Sequence, residues 1–293
     1  MVEREELAAL EWSACQVVSI ASGQPHFFSP DSRTFANVPA RRMIIHKLIY
    51  GFLKAKGGSP AFYQLQARDA IEWMQRQGVK FEPTTPVLDL GCGFGDVGGE
   101  VAKTGAQVTL SDDDSFVLPQ NAALPFHKFN IDRDDFATLG QYDLVICSNV
   151  LEHLPRPDRL LAALPQLIKP GGRCYLSWTN WLSPWGGHEF SPFHYLGVER
   201  GVRVWERVTG KTRMHTPGQN LFYTSIGQTL RTLRVNPALR IERLAPRYYP
   251  EFAFLVHVPV IREFLTWNCA MLLAPVTRAA AESQPLNRSP NSP

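Results

Sequence analysis

A glycine-rich turn follows a short apolar segment and has the composition of a nucleotide-binding loop. Residues 87–95 read VLDLGCGFG, and glycine, which lacks a Cβ, lets backbone N–H groups approach a ligand closely. Residues 93–98 also match the dinucleotide fingerprint GxGxxG. Asp89 precedes the loop by two residues, where a carboxylate would repel a pyrophosphate and attract a ligand that carries ammonium and sulfonium charges. The loop predicts a nucleotide ligand, and Asp89 favours the cationic kind.

A second stretch that could carry chemistry spans residues 178–195 and is rich in aromatic and polar side chains. Aromatic faces stack on sugars or rings, and polar groups orient such a ligand. His188 is the candidate general base, because an imidazole titrates near neutral pH. Gly186 and Gly187, which precede His188, also allow a close approach of the backbone. Glu189 and His194 are the second choices, as groups that orient His188. The alternative is that these residues pack a lid or a dimer surface.

No metal site is expected. His188, Glu189 and His194 are separated by a proline-containing segment that does not offer the helical geometry of an HExxH motif. The five cysteines are scattered, without CxxC pairs or zinc-ligand spacing. Because these cysteines do not suggest a disulfide framework, we expect a reducing, cytoplasmic environment.

Short apolar segments alternate with helical patterns, which predicts an α/β fold: a parallel sheet covered by helices on both faces. The helix predicted over residues 151–168 would begin near Glu152 and His153, whose expected role is to support the fold. The other predicted helices are 43–56, 60–77 and 222–233. The predicted strands are 87–90, 107–111, 142–148, 172–178, 239–244 and 265–273.

Composition limits the classes of protein to consider. The chain has 293 residues, 44% of them hydrophobic and 19% charged, which suits one large domain. We expect an N-terminal extension over residues 1–40, the domain over 41–276 and a disordered tail over 277–293. A net charge of +3 without blocks of like charge argues against nucleic-acid binding. The acidic N-terminus and the short apolar runs predict neither export nor a membrane span.

Four segments, in order, carry a resemblance to a known family: VLDLGCGFG, VTLSD, YDLVICSNVLEHL and LIKPGGRCYLSW. They resemble the successive motifs of class I S-adenosylmethionine-dependent methyltransferases, especially the methyltransferase-11-like branch. The resemblance covers residues 63–178. It implies a Rossmann-like sheet of seven strands with N-terminal capping helices and an antiparallel final strand near residues 265–273.

The resemblance also implies S-adenosylmethionine as the cofactor and the residues that would hold it. The glycine loop would bind the methionine end, and Asn149 would lie on a cofactor-facing turn. Asp112 would bind the ribose, although it is the first of three successive aspartates and its neighbours are alternatives. Asp132 would bind the adenine amino group, or cap a helix instead. The implied cofactor-binding residues are Asp89, Gly91, Cys92, Gly93, Asp112, Asp132 and Asn149.

The acceptor follows from a looser resemblance. Residues 183–197, SPWGGHEFSPFHYLG, resemble loops of actinobacterial methyltransferases associated with cell-envelope glycolipid or polysaccharide genes. This implies O-methylation of a sugar-containing or other small acceptor, such as a glycan or glycolipid. Residues 248–256 are apolar and aromatic, which predicts either ordinary packing or peripheral contact with the inner face of a membrane.

Two other functions remain open at this point. The GxGxxG match suggests an NAD(P)-dependent oxidoreductase, against which stand Asp89 and the lack of a recognisable Tyr/Lys pair. A non-catalytic S-adenosylmethionine-binding module is the other alternative. The intact glycine loop and the polar stretch after residue 178 argue against that module.

Overall fold

A computed structural model describes residue 49, residues 60–211 and residues 214–276. Seven strands in these ranges form one sheet between two layers of helices, which confirms the expected α/β fold. The proposed extension, the tail and almost all of the helix predicted over residues 43–56 lie outside the described residues, so the domain limits stay predictions.

The elements have the following bounds. The helices are α1 (Pro60–Arg76), α2 (Asp96–Ala102), α3 (Pro157–Leu167), α4 (Val198–Thr209), α5 (Ile226–Arg234) and α6 (Ile261–Leu265). The strands are β1 (Pro86–Leu90), β2 (Gln107–Asp112), β3 (Phe126–Lys128), β4 (Tyr142–Ser148), β5 (Ile168–Thr179), β6 (Leu239–Pro246) and β7 (Asn268–Pro275). Short 3₁₀ helices are Pro119–Asn121, Phe136–Leu139, Leu151–His153, His188–Phe190, Phe193–Leu196 and Pro250–His257.

The strand order is β3-β2-β1-β4-β5-β7-β6. Strands β1 to β5 pair in parallel, whereas β7 runs antiparallel between β5 and β6. The expected antiparallel final strand is therefore confirmed. Successive strands are added in one direction from β1 to β3 and in the opposite direction from β4 onward. A ligand cleft forms beyond the carboxyl ends of the strands at such a switch point, here between β1 and β4.

Local chemistry explains where the element bounds differ from the sequence prediction. The helix predicted over residues 151–168 is instead a 3₁₀ turn followed by α3, because Pro155 and Pro157 interrupt the helical hydrogen bonds. Helix α5 begins four residues later than predicted, where the Ser225 hydroxyl accepts a hydrogen bond from Gln228 N at 3.2 Å. Strand β3, Phe126–Lys128, is not among the strands predicted from the sequence.

Apolar side chains cover both faces of the sheet. On one face, Trp73 and Met74 of α1 pack with the buried side chains of β1, β2 and β4. On the other face, Leu160 and Leu164 of α3 and Leu230 of α5 pack with buried side chains of β1, β4, β5 and β7. Burial of apolar area on both faces stabilises this three-layer arrangement.

A buried ion pair fastens α1 to the carboxyl edge of the sheet. The side chains of Arg247 and Asp69 are wholly buried, and Nε lies 3.1 Å from Oδ2. Arg247 also donates to the Gln66 carbonyl, and its Nη1 lies 3.4 Å from both the Ser148 and the Ser177 hydroxyl oxygens. Because a buried charge needs a complete set of partners, this network fixes the position of α1 relative to β4 and β5.

Candidate active site

A cleft of about 750 Å³ opens at the carboxyl edge of the parallel strands. Helix α1 forms one wall with Phe62, Tyr63 and Gln66. The glycine loop and the ends of β2, β4 and β5 form its floor, and residues from the segments that include His188 and His215 close the far end. The cleft lies at the point where the strand order reverses, as expected for a doubly wound sheet.

The glycine loop runs along the floor with backbone conformations that need glycine. Gly91 has φ of 73°, and a Cβ there would lie 2.6 Å from Cγ2 of Val150. Gly93 has φ of 51°, and a Cβ there would meet no atom within 4 Å. Gly91 therefore allows the loop to pack on the turn after β4, while Gly93 leaves its backbone open to the cleft.

Asp112 ends β2 and holds the loop from the side. Its Oδ2 accepts a hydrogen bond from Gly93 N at 2.7 Å, and its Oδ1 accepts one from Asp113 N at 2.8 Å. Burial raises the pKa of Asp112 above its usual value, although both N–H donors oppose that change. Asp113 also lines the cleft, whereas Asp114 lies 3.9 Å from Lys128. Asp112 is the one of the three aspartates that contacts the glycine loop.

Asp89 lies beneath the loop and does not line the cleft. It is 2% exposed, and its Oδ2 accepts a hydrogen bond from Gly98 N at 2.7 Å. Burial raises the pKa of Asp89 to about 7, the Gly98 N–H lowers it, and the charges of Asp112 and Asp96 raise it further. The structure therefore gives Asp89 a supporting position under the first turn of α2.

The remaining residues predicted for the cofactor all line the cleft: Cys92, Asp132 and Asn149. Oδ1 of Asp132 is buried without a hydrogen-bond partner in the part of the chain that the structure describes. Asn149 has φ of 58°, and its Oδ1 accepts a hydrogen bond from Asn268 Nδ2 at 2.9 Å. Burial and the charge of Asp89 raise the pKa of the Cys92 thiol well above its usual value.

Three histidines meet at the other end of the cleft. The ring centroids of His188 and His215 are 4.6 Å apart, and His153 lies 5.4 Å from His188 and 5.3 Å from His215. Burial and the two neighbouring histidines lower the pKa of His188 well below its usual value. This cluster brings together side chains from three separate segments of the sequence.

An oxygen acceptor holds the Nδ1 atom of each histidine in this cluster. Nδ1 of His153 lies 2.7 Å from the Asn220 carbonyl oxygen, and Nδ1 of His188 lies 3.3 Å from the Gly186 carbonyl oxygen. Nδ1 of His215 lies 2.6 Å from Oε2 of Glu189. Carbonyl and carboxylate oxygens only accept hydrogen bonds, so in the neutral form of each ring Nδ1 carries the proton and Nε2 carries the lone pair.

Glu189 orients His215, whereas we expected it to orient His188. Its second oxygen, Oε1, accepts a hydrogen bond from the backbone N of His215 at 2.6 Å. Burial alone would raise the pKa of Glu189, but these hydrogen bonds and the electrostatic interaction with the His215 ring lower it to about 2. The carboxylate therefore stays ionised and fixes both the backbone and the ring of His215.

His194 was expected to orient His188 at the active site, but the structure places it outside the cleft. His194 is 3% exposed and does not line the cleft. Its Nε2 lies 3.0 Å from the Ser183 carbonyl oxygen, and its ring centroid lies 4.1 Å from that of Tyr195. The 3₁₀ turn Phe193–Leu196 directs this side chain into the packing of its own segment.

Sequence reasoning missed His215, and for His153 it favoured support of the fold over a catalytic role. No motif marks His215, which becomes relevant only because residues 214–220 fold back against Glu189 and His153. His153 lies five residues after the end of β4, in the 3₁₀ turn Leu151–His153, near the edge where parallel strands place ligand-binding residues. That position was the available signal for His153.

Aromatic side chains divide between the cleft and the packing around it. The rings of Trp185 and Trp267 both line the cleft and stack with centroids 4.3 Å apart and planes inclined by 20°. Trp181 and Phe190 pack together in a separate buried cluster. The aromatic stretch predicted as an acceptor pocket therefore contributes chiefly Trp185, His188 and Glu189 to the cleft.

Comparison with known proteins identifies the family. Residues 88–174 match the model of a methyltransferase domain. An uncharacterized methyltransferase of Mycobacterium avium (strain 104) is 34% identical over 221 residues, which cover 75% of each chain. Another, from Mycolicibacterium gilvum (strain PYR-GCK), is 33% identical over 252 residues and covers 78% of this chain and 93% of the relative. The solved structure of an S-adenosylmethionine dependent methyltransferase from Mesorhizobium loti is 19% identical, with a TM-score of 0.47, and covers 70% of this chain and 97% of the other.

The chain belongs to a family of methyltransferases. The sequence motifs imply S-adenosylmethionine as the methyl donor. Two features of the cleft fit this nucleotide. The Gly93 backbone faces space that a Cβ would enter, and the unpartnered Oδ1 of Asp132 can accept a hydrogen bond from an amino group.

The raised pKa of Asp89 predicts a distinct dependence of stability on pH. Folded Asp89 keeps its proton up to about pH 7, whereas an unfolded aspartate loses it near pH 4. The folded state therefore binds more protons between these values, and the free energy of unfolding should fall as pH rises through this range. At 1.36 kcal/mol for each pKa unit, Asp89 contributes up to about 4 kcal/mol to this fall. Urea unfolding of the cofactor-free protein between pH 4.5 and 7.5 should show a smaller fall for Asp89→Asn.

The control for this measurement is Asp114→Asn, which removes an exposed carboxylate. Its unfolding free energy should follow the wild-type pH profile. Parallel profiles for Asp89→Asn and the wild type would contradict the assigned pKa.

Proposed function

We propose that this methyltransferase transfers a methyl group to a hydroxyl oxygen of a sugar-containing or other small acceptor, such as a glycan or glycolipid. The observation that carries the proposal is that one cleft is lined by two chemically different groups of residues. One group is the glycine loop with Asp112 and Asp132, and the other is a cluster of three histidines with two stacked tryptophans. A nucleotide fits the first group, here called the cofactor end, and an acceptor with hydroxyl groups fits the second, here called the acceptor end.

At the cofactor end, each polar group has a proposed partner. Asp112 would accept hydrogen bonds from the ribose hydroxyls while it keeps its hydrogen bond from Gly93, since each carboxylate oxygen has two lone pairs. Asp132 would accept one from the adenine amino group through its unpartnered Oδ1. The open backbone at Gly93, together with Cys92 and Asn149, would surround the methionine end.

At the acceptor end, Trp185 and Trp267 offer a flat apolar surface and the histidines offer lone pairs. Aromatic faces stack on sugar rings, while polar groups at their rim select the orientation. Because Trp185 lies three residues before His188, the two side chains can contact the same acceptor. This arrangement favours a sugar hydroxyl over a purely apolar acceptor.

Methyl transfer requires a nucleophile aligned with the donor and a group that takes its proton. A bound S-adenosylmethionine would supply a methyl group on a sulfonium, and the electrons of the broken sulfur–carbon bond would remain on sulfur. His188 is the proposed general base: its Nδ1–H points to the Gly186 carbonyl, so its Nε2 can accept the hydroxyl proton. The acceptor oxygen then forms the new bond to carbon.

Replacing Asp112 should weaken cofactor binding. Asp112→Asn removes the charge that accepts the ribose hydrogen bonds but keeps an oxygen for the Gly93 N–H. A hydrogen bond to a charged group contributes about 1.5–3 kcal/mol, so titration calorimetry should show S-adenosylmethionine and S-adenosylhomocysteine binding roughly tenfold to hundredfold more weakly.

Two controls make this titration specific. Asp114→Asn should bind both nucleotides as the wild type does, and NADH should give no heat with any variant. Equal affinity of Asp112→Asn and wild type would remove the ribose role, and tight binding of NADH would favour the oxidoreductase alternative.

Replacing His188 should lower turnover and spare cofactor affinity. The acceptor is found first, by screening sugars and glycolipids with radiolabelled S-adenosylmethionine. His188→Ala should then reduce kcat by about 10²–10⁴-fold, the usual contribution of a general base. His257→Ala, which removes an exposed histidine outside the cleft, is the matched control. Unchanged kcat in His188→Ala would exclude the base role, and cofactor binding without turnover on any acceptor would favour the non-catalytic module.

We also propose that the enzyme meets a lipid-borne acceptor at the inner face of a membrane. Residues 252–265 form an exposed apolar segment. Its exposed apolar side chains are Phe252, Phe254, Val258, Val260, Ile261, Phe264 and Leu265. Tyr248 and Val256 are buried, so the alternative of ordinary packing applies to those two residues. No helix in the described ranges is long and apolar enough to cross a bilayer, and the four described cysteines are free thiols, as in a reducing compartment.

Vesicle flotation tests this contact. The wild type should float with phosphatidylglycerol/phosphatidylcholine vesicles because the exposed apolar segment enters the interface. The double variant Phe254→Ser/Leu265→Ser should stay in the dense fraction, whereas Val208→Ser/Val235→Ser, which replaces exposed apolar residues elsewhere, should float as the wild type does. Failure of the wild type to float would exclude membrane contact.

A further inference from the structure

We infer that His153, His188 and His215 bind one divalent transition-metal ion of the zinc type at the acceptor end of the cleft. Each residue offers one ring nitrogen, and the three nitrogens all lie within 4.8 Å of one another. This set of three histidines differs from His188, Glu189 and His194, whose spacing in the sequence argued against a metal. Only His188 belongs to both, and the fold supplies the other two ligands from distant segments.

The first argument is the proton arrangement on the three rings. All three Nδ1 atoms lie against oxygen acceptors, at 2.7, 3.3 and 2.6 Å. In their neutral form the three rings therefore carry their lone pairs on Nε2, and one nitrogen of each ring lies within 4.8 Å of the other two. Histidine ligands in metal sites have this arrangement, in which the outer nitrogen donates to a carbonyl or carboxylate while the other binds the ion.

The second argument is the rigidity of the support behind the ligands. Glu189 binds both the ring and the backbone N–H of His215, which forms a carboxylate–histidine pair. The Asn220 carbonyl holds His153, and the Asn220 side chain accepts a hydrogen bond from Thr216 N at 2.6 Å. The segment that carries His215 is therefore tied to both of the other ligand-bearing segments.

The third argument concerns the donor set and its spacing. Three neutral imidazoles suit zinc and neighbouring divalent ions, and a catalytic zinc site has three protein ligands and one open position. Bonds of about 2.0–2.1 Å to a tetrahedral ion place the nitrogens about 3.4 Å apart. Side-chain rotations that move the nitrogens by about 1–1.5 Å would close the cluster from its present span.

The role assigned to the ion rests on the proposed function. The open position faces the cleft, where the hydroxyl oxygen of an acceptor stacked near Trp185 can occupy it. A divalent ion lowers the pKa of an oxygen that it binds, so the hydroxyl proton leaves to water in the cleft. With the ion bound, His188 acts on the acceptor through the ion and does not itself take the proton. The charge of the ion does not change during the step.

Metal binding is tested on the full-length protein without any acceptor. Protein treated with chelator and then dialysed against Zn²⁺ should retain one ion per chain by mass spectrometry of metals. Loading with Co²⁺ should produce the intense visible absorption of a tetrahedral site. His153→Ala and His215→Ala should each weaken Zn²⁺ binding by more than about 100-fold, and Glu189→Gln, which alters the support of His215, by about 10–100-fold.

The control is His257→Ala, which should bind Zn²⁺ and Co²⁺ as the wild type does. Circular dichroism of each variant verifies that the fold is intact. Less than stoichiometric binding by the wild type would overturn the site, and so would wild-type affinity in both ligand variants.

Activity separates this proposal from the methyl-transfer proposal. If the ion has the assigned role, chelator-treated protein should lose turnover and regain it with Zn²⁺. Full turnover after complete metal removal would overturn the role of the ion and leave His188 as the base. Stoichiometric Zn²⁺ binding by a protein that methylates no acceptor would overturn the proposed function and leave the metal site in place.

Discussion

The buried ion pair between Arg247 and Asp69 is the interaction on which the shape of the cleft depends. Arg247 follows β6 directly, and its backbone N donates to Asn268 O of β7 at 2.8 Å. Its guanidinium contacts α1 and the ends of β4 and β5. Arg247 therefore connects three elements through its side chain, and its backbone connects the end of β6 to β7, at the edge of the sheet where the cleft opens. A guanidinium suits this position because it presents several donors in a fixed plane, and each buried donor needs a hydrogen-bond acceptor.

The charge distribution of the cleft follows from where each element ends. Asp112 lines the cleft beside the glycine loop, and the Gly93 N–H offsets part of its charge, whereas Asp89 lies beneath the loop on the neighbouring strand. Their proximity raises the pKa of Asp89 further. At the other end, Glu189 is ionised beside three imidazoles. The cleft thus separates an acidic end, which suits a cationic nucleotide, from an end that offers nitrogen lone pairs.

The histidine cluster shows how hydrogen bonds behind the ligands define the chemistry in front of them. A histidine whose Nδ1 is free can present either nitrogen, and it can rotate to use either one. Here two backbone carbonyls and one carboxylate fix the proton positions, so all three rings present the same kind of atom to the cleft. A general base and a metal ligand need this same lone pair. Both readings of His188 therefore follow from one geometric fact.

Local sequence patterns predict those parts of the fold and of the cleft that depend on short stretches of chain. The alternation of apolar strands and helical patterns predicted the α/β sheet, and the glycine loop with Asp89 and Asp112 located the nucleotide end. These features depend on backbone conformation and on side chains within a few residues of a strand end, which local patterns record. The residues that meet at the acceptor end could be identified only from the tertiary structure. His194 and His215 are equally plausible partners for Glu189 by residue type, and His194 is far closer in sequence. The packing of the 3₁₀ turn directs His194 into its own segment, while the fold brings residues 214–220 back to the cleft. Contacts between distant segments depend on how loops close over the sheet, and no periodicity in either segment records that closure.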